Sequence, residues 1–231
     1  MLRFEGCEIG NGGFRLSADL EVATGRIVAV IGPSGGGKTT LLEAAAGFLP
    51  LERGEIRWNN NALSGLSPGK RPMAMLFQDG NLFPHLTAAQ NVGLGIRPDL
   101  RLPPGAAKRV DEALAEVGLE GMGGRKPAAL SGGQRARVAL ARLMVQNREI
   151  FLLDEPFAAL GPALKSDMLS LVARLARDSG ATVLMVSHDP GDAKQIADQV
   201  ILVAENKAHA PVETDRLFAD PPDALRDYLG G

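Results

Sequence analysis

Between Gly32 and Thr39 the chain reads GPSGGGKT: a glycine, four residues, then Gly-Lys-Thr, placed directly after the apolar run IVAVI. A glycine-rich loop of this spacing, between a strand and a helix, wraps backbone N–H groups around phosphates. Gly32, Pro33, Ser34, Gly35, Gly36 and Gly37 form the cradle, Lys38 reaches the terminal phosphates, the Thr39 hydroxyl binds magnesium, and Thr40 completes the nucleotide-binding stretch. Farther on, IFLLDEP ends an apolar run in two carboxylates. Asp154 at the strand tip is placed to hold the magnesium hydration shell, and Glu155 to orient and polarise an attacking water as general base. His188 follows the apolar run TVLMV, at the strand end where open α/β sheets place their ligands, and is read as a γ-phosphate contact. Gln78 follows MAMLF in the same way, a neutral amide able to touch magnesium or the attacking water. His85 and His209 lack such placement and receive no role. A second phosphate seat stands at LSGGQ, where Leu130, Ser131, Gly132, Gly133 and Gln134 open a helix with a hydroxyl and exposed N–H groups. With the first loop complete, this one has no obvious nucleotide within its own chain.

These residues need particular elements beneath them. Phe14 to Val22 alternates apolar and polar residues, the pattern of a half-buried, antiparallel strand. The runs from Ile27, Met73, Ile150 and Thr182 are continuously apolar, as in parallel strands covered on both faces, and VILV from Val200 makes a fifth. Helical patterns run from Lys38, from Ala107, after Gln134 and from Leu164. Strand and helix alternate, which predicts a doubly wound α/β core. From about Asp79 to Asn147 there are helical patterns without a convincing strand, read as a helical lobe inserted into the core. Its proline-rich RPDLRLPPG is a surface loop. After Val203 too little chain remains for another domain.

At 231 residues, 45% hydrophobic and 23% charged, the chain has the composition of one large globular domain, and aromatics at 4% make its core aliphatic. A net charge of −2 excludes a broad basic field for nucleic acid, so Arg135, Arg137 and Arg142 are read as solvated or structural. The single cysteine, Cys7, excludes an internal disulfide framework, fits a reducing compartment, and is expected to be half-buried and unreactive. No apolar run is long enough to span a bilayer.

The phosphate loop, Gln78, LSGGQ, LLDEP and His188, in that order, resemble the ATP-binding cassette family from end to end. That resemblance implies a P-loop NTPase (RecA-like) core, an antiparallel N-terminal β subdomain and an inserted α-helical lobe within residues 1–231, with ATP and Mg2+ as ligands. It also implies a head-to-tail dimer, in which Leu130 to Gln134 of one chain close over the ATP held by the other, so that two loops too far apart in one chain meet across a two-fold axis. Most cassettes of this size drive transporters. The implied partners are then a second copy of the chain, a transmembrane permease and, indirectly, a periplasmic solute-binding protein, at the cytoplasmic face of a bacterial inner membrane. Leu82, Phe83 and Leu86 are candidates for the permease contact, with internal packing of the lobe as the alternative.

The segment from Arg71 to Leu102, with LSGGQRARVALAR and LLDEPFAAL, looks like the ATP-binding subunits of bacterial thiamine and thiamine-pyrophosphate importers. Importers of polyamines, ferric iron, sulfate or molybdate share much of it. Two classes compete: a soluble, non-transport cassette and an ATP-dependent switch without turnover. The chain departs from the family where Ser-Ala-Leu-Asp is usual and Ala158, Ala159, Leu160 and Gly161 stand instead, which implies slower but real turnover. The adenine-stacking aromatic is also out of pattern, with Phe14 the candidate.

Overall fold

The computed structural model describes residues 1–78 and 80–229, so Asp79, the first residue of the expected lobe, lies outside the described residues. In chain order its elements are strands β1 (Leu2–Asn11), β2 (Phe14–Val22) and β3 (Ile27–Ile31), helix α1 (Lys38–Ala46), strands β4 (Leu51–Trp58), β5 (Asn61–Ala62) and β6 (Met73–Leu76), and helices α2 (Ala88–Gly93), α3 (Ala106–Glu116) and α4 (Gly132–Met144). There follow β7 (Ile150–Asp154), α5 (Pro162–Ser179), β8 (Thr182–Val186), α6 (Pro190–Ile196), β9 (Gln199–Ala204), β10 (Lys207–Ala208), β11 (Val212–Glu213), α7 (Thr214–Ala219) and α8 (Asp223–Leu229).

Strands β9, β3, β8, β7 and β6 lie side by side in that order and run parallel. Every residue of β3, β7 and β8 is buried, because both faces of this sheet are covered and successive side chains point to opposite sides. Ile150, Leu152, Leu184 and Val186 pack with α1 on one face, while Phe151, Leu153, Val183 and Met185 pack with α5 and the helices α3 and α4 on the other. A second, antiparallel layer, β5-β4-β1-β2, joins the parallel one through β10. Its apolar face, including Phe4, Ile9, Leu16 and Ile56, closes over α1, so this helix is buried between two sheets.

That burial aims the start of α1 at a fixed point. The helix begins at Lys38, immediately after Gly37, and ends at Gly47, whose left-handed conformation returns its N–H to the carbonyls of Glu43 and Ala44. Gly32 leaves β3 with φ 146°, and a Cβ there would stand 2.0 Å from the carbonyl oxygen of Val203. Only glycine lets the chain turn this close to β9.

Between Phe77 and Glu149 the described residues contain helices α2, α3 and α4 and no strand. The three helices pack on one another through Ala88, Val92, Val110, Leu114 and Val138, and α4 also lies against β6. RPDLRLPPG links α2 to α3 as an irregular segment. Arg135, Arg137 and Arg142 are structural here: their guanidiniums donate to the carbonyls of Leu130, of Val117, and of Gly80 and Asn81. Cys7 departs from the half-buried expectation. It is buried on β1 with its thiol on the Glu55 carbonyl, and burial pushes its pKa up to about 11, which leaves it an inert thiol near neutral pH.

Candidate nucleotide site

The C-terminal ends of β3, β7 and β8 open into one cleft of about 380 Å³, lined by Phe14, Ser34, Gly35, Gly37, Lys38, Thr39, Thr40, Glu155 and His188. Three strand tips and one helix start, distant in sequence, meet here because parallel strands all end on the same side of a sheet. Lys38 is 5% exposed, and its ammonium donates to the carbonyls of Gly32 and Pro33, each at 2.9 Å. Burial lowers its pKa, while the nearby carboxylates of Glu155 and Asp154 oppose that shift. The lysine thus braces the loop and brings a positive charge to its mouth.

The Thr39 hydroxyl donates to Asp154 Oδ1 at 3.0 Å. Asp154 is 8% exposed; burial raises its pKa, the Thr39 hydrogen bond pulls it down, and Glu155 pushes it up again. A hydroxyl and a carboxylate in contact at the edge of this cleft are hard oxygen donors, the set that magnesium takes together with phosphate oxygens. Glu155 is next along the chain yet faces the cleft, because it holds φ at 46°, a strained value for a residue with a Cβ. Its N–H is fastened to the carbonyl of Val186 on β8. The turn carries its carboxylate onto Nε2 of His188, and the two form an ion pair when the imidazole is protonated.

Phe14, at the start of β2, lies against the phosphate loop: a Cβ on Gly37 would stand 2.8 Å from its ring. The aromatic is therefore in contact with the cleft although its position in the sequence is out of pattern. Gln78 is not brought into this group. β6 ends at Leu76, and Gln78 sits in the following turn, exposed, lining a separate cavity of about 330 Å³ with Gly80, Leu82, Gly132, Arg135 and Leu160. That cavity lies between the core and the helical segment.

Leu130 to Gln134 also lie outside the cleft of their own chain. Ser131 is the N-cap of α4: its hydroxyl accepts from the Gln134 N–H at 3.2 Å, and the Gln134 carboxamide accepts from the Ser131 N–H at 3.0 Å. This reciprocal pair is a capping box. Gly133 packs closely, since a Cβ would stand 2.5 Å from a Leu164 methyl on α5 and that side chain would have to shift, whereas Ser131 and Gly132 face solvent. Leu130 is buried beneath them. Ala158, Ala159 and Gly161 are exposed ahead of α5, and Gly161 caps that helix without a side chain. Leu82 packs into the helical segment, Leu86 is half-buried, and Phe83 is 47% exposed with its ring edge-on to His85.

A network around His188 has no counterpart in the sequence reading. Lys165 on α5 bridges Asp189 at 2.6 Å and Asp192 at 2.7 Å. Burial pulls the Lys165 pKa down, but hydrogen bonds to the two aspartates outweigh it and raise it; Lys165 in turn lowers that of Asp189. Ser187 donates to Asp192 and accepts from the Asp189 N–H. An Asp-Pro pair opening α6 was the local signal for part of it; the lysine, remote in sequence, left none.

A family model for ABC transporters matches residues 16–158. The chain is 58% identical over the whole length of both chains to the thiamine import ATP-binding protein ThiQ of Ruegeria sp. (strain TM1040), and 57% identical, again over both whole chains, to that of Cereibacter sphaeroides. It is 45% identical to the protein of the same name from Aliivibrio fischeri, over 91% of each chain. Among solved structures it is similar to the dimeric, post-hydrolysis state of the ATP-binding cassette MJ0796 bound to ADP and Pi, with TM-score 0.78 and 28% identity over 93% of this chain and 99% of that one. The glycine-rich loop, the Thr39–Asp154 pair and the Glu155–His188 pair all fall at one cleft, and with a family model over residues 16–158 and relatives matched over its whole length the chain belongs to the ABC transporter family.

Proposed function

We propose that this ABC ATPase is the energy-coupling subunit of a bacterial thiamine importer. The observation that carries the catalytic part is the convergence of Lys38, Thr39, Asp154, Glu155 and His188 on one cleft. The cargo reading is supported by full-length identity to thiamine import ATP-binding proteins. Backbone N–H groups of residues 32–40 and the Lys38 ammonium bind the phosphates of ATP. Thr39 and Asp154 would hold Mg2+, which when bound neutralises charge on the phosphate oxygens. Glu155 accepts a proton from the attacking water, and His188 orients Glu155 while reaching toward the γ-phosphate. Phe14, against the loop, is the adenine-stacking candidate.

The exposed Ser131 and Gly132 suit contact with ATP held by a second copy of the chain, and the dimeric state of MJ0796 supports a homodimer. Gln78, on the cavity between core and lobe, would enter the magnesium site only when the lobe of residues 79–147 rotates toward the cleft. A permease is the further partner, meeting the exposed Phe83, with a periplasmic binding protein beyond it. Among the described residues no helix is long and apolar enough to cross a membrane, so attachment at the cytoplasmic face would run through that permease.

In cells lacking this chain, uptake of labelled thiamine is expected to vanish and to be restored by the wild type but not by Glu155→Gln. Unchanged thiamine uptake in the deletion strain refutes the cargo and leaves polyamine, iron, sulfate and molybdate uptake to be assayed. The departure at Gly161 makes a second prediction. No atom lies within 4 Å of a Cβ built there, and an aspartate would cap α5 and restore a carboxylate at the dimer seam. Gly161→Asp is expected to raise steady-state phosphate release with the permease about fivefold, the scale of a modest coupling between sites. An unchanged rate counts against a role for this loop in slowing turnover.

A further inference from the structure

The C-terminal helix α8 reaches back to the cleft. Leu225 is fully buried in a small core with Ala29, Ile31, Val200, Leu202 and Leu217, and Tyr228 packs against the same cluster. From that anchor the Tyr228 hydroxyl donates to the backbone carbonyl of His188 at 2.5 Å. It is the one tyrosine of the sequence. Burial raises its pKa, and the carboxylates of Asp189 and Glu155 raise it further, so the phenol stays protonated and remains a donor.

His188 needs such a hold. Its side chain is 43% exposed, so little packing fixes the imidazole over the cleft. Lys165, Asp192 and the Ser187 hydroxyl secure the residues on either side of it. The carbonyl of His188 itself is held from α8. Displacement of the His188 backbone would carry the imidazole away from Glu155, and a hydrogen bond from a buried helix onto its carbonyl opposes that displacement.

We infer that Tyr228 is a positioning residue for hydrolysis, acting through the His188 backbone to keep the imidazole on Glu155. The inference rests on reading the cleft as the site of ATP hydrolysis. It makes the C-terminal helix part of the catalytic apparatus although α8 supplies no group to the cleft lining.

The test is Tyr228→Phe, which removes one oxygen and keeps the ring, measured by steady-state ATP hydrolysis of the full-length chain. The expected result is a kcat lowered about three- to tenfold, the scale of one lost hydrogen bond. KM for ATP stays within about twofold and the melting temperature within about 2 °C, as for a residue that does not bind ATP or carry the fold. In a His188→Ala background the same change produces no further loss, because the group it positions is gone. A kcat equal to wild type, an equal loss in both backgrounds, or a loss that follows a fall in melting temperature overturns the inference. These results leave the site reading intact if Glu155→Gln still abolishes turnover; a wild-type chain that does not hydrolyse ATP overturns both.

Discussion

Glu155→Gln is expected to lower ATP hydrolysis about 10²- to 10⁴-fold while ATP still binds, the range over which a positioned general base accelerates proton transfer. The substitution is nearly isosteric, and the structure gives reason to expect it to stay in place. The backbone of residue 155 is held at φ 46° by its N–H on Val186 and by the flanking strand β7, not by the carboxylate. A carboxamide can still hydrogen-bond His188, but it cannot take a proton from water. Electrostatics favour binding in the variant. Glu155 is one of the groups that raise the Asp154 pKa, after burial, so its neutralisation makes Asp154 easier to ionise beside Thr39. Phosphate release and equilibrium binding of labelled ATP, measured side by side, check this. Turnover above a tenth of wild type removes Glu155 from the role of base, and loss of binding shows instead that the turn at residue 155 needs its charge.

Lys38→Ala acts on the other half of the cycle. It is expected to weaken ATP binding about 10- to 150-fold, the equivalent of one charge-assisted hydrogen-bond set of about 1.5–3 kcal/mol. The ammonium has a second duty besides meeting phosphate, since it ties the carbonyls of Gly32 and Pro33 at 2.9 Å and so holds the loop curved. Alanine removes the strut as well as the charge. Arginine is not expected to rescue it, because the longer, bulkier guanidinium does not fit the buried space that the compact ammonium fills beside Gly32 and Pro33. Fluorescent ATP titration of Lys38→Ala, with circular dichroism to show that α1 persists, is the measurement. A dissociation constant within about threefold of wild type means that backbone N–H groups alone bind the phosphates.

The two changes separate binding from chemistry, and they touch different elements. Lys38 depends on a turn and a helix adjacent in sequence, so its place could be read from GPSGGGKT and the apolar run before it. The strands β3, β7 and β8 were legible for a related reason: burial on both faces leaves polar residues only at strand ends, Asp154 and Thr182, and the apolar run is otherwise uninterrupted. β1 was not legible. A register shift between Phe4 and Cys7 breaks its alternation, and Gly6 sits at positive φ within it. β4 was missed because its first residues, Leu51 to Glu55, are largely exposed and polar, as an outer strand allows. LSGGQ was half legible. Its serine and glutamine cap their own helix, a local pattern, while the glycine at 133 answers to Leu164 on a different element.

The sequence by itself determined which groups are available: a glycine-rich loop, a hydroxyl, two carboxylates and a histidine, each at a strand end or at the start of the helix after it, where the pattern is set by nearest neighbours. Tertiary structure decided which of these meet. It joined Thr39 to Asp154 and Glu155 to His188, kept Gln78 in a separate cavity, and brought Lys165 and Tyr228 to the histidine loop. The reason is physical. Turns and apolar periodicity are properties of a few consecutive residues, whereas a hydrogen bond between residues 188 and 228 exists only once two buried surfaces, under Leu225 and under β8, have fixed the distance between them.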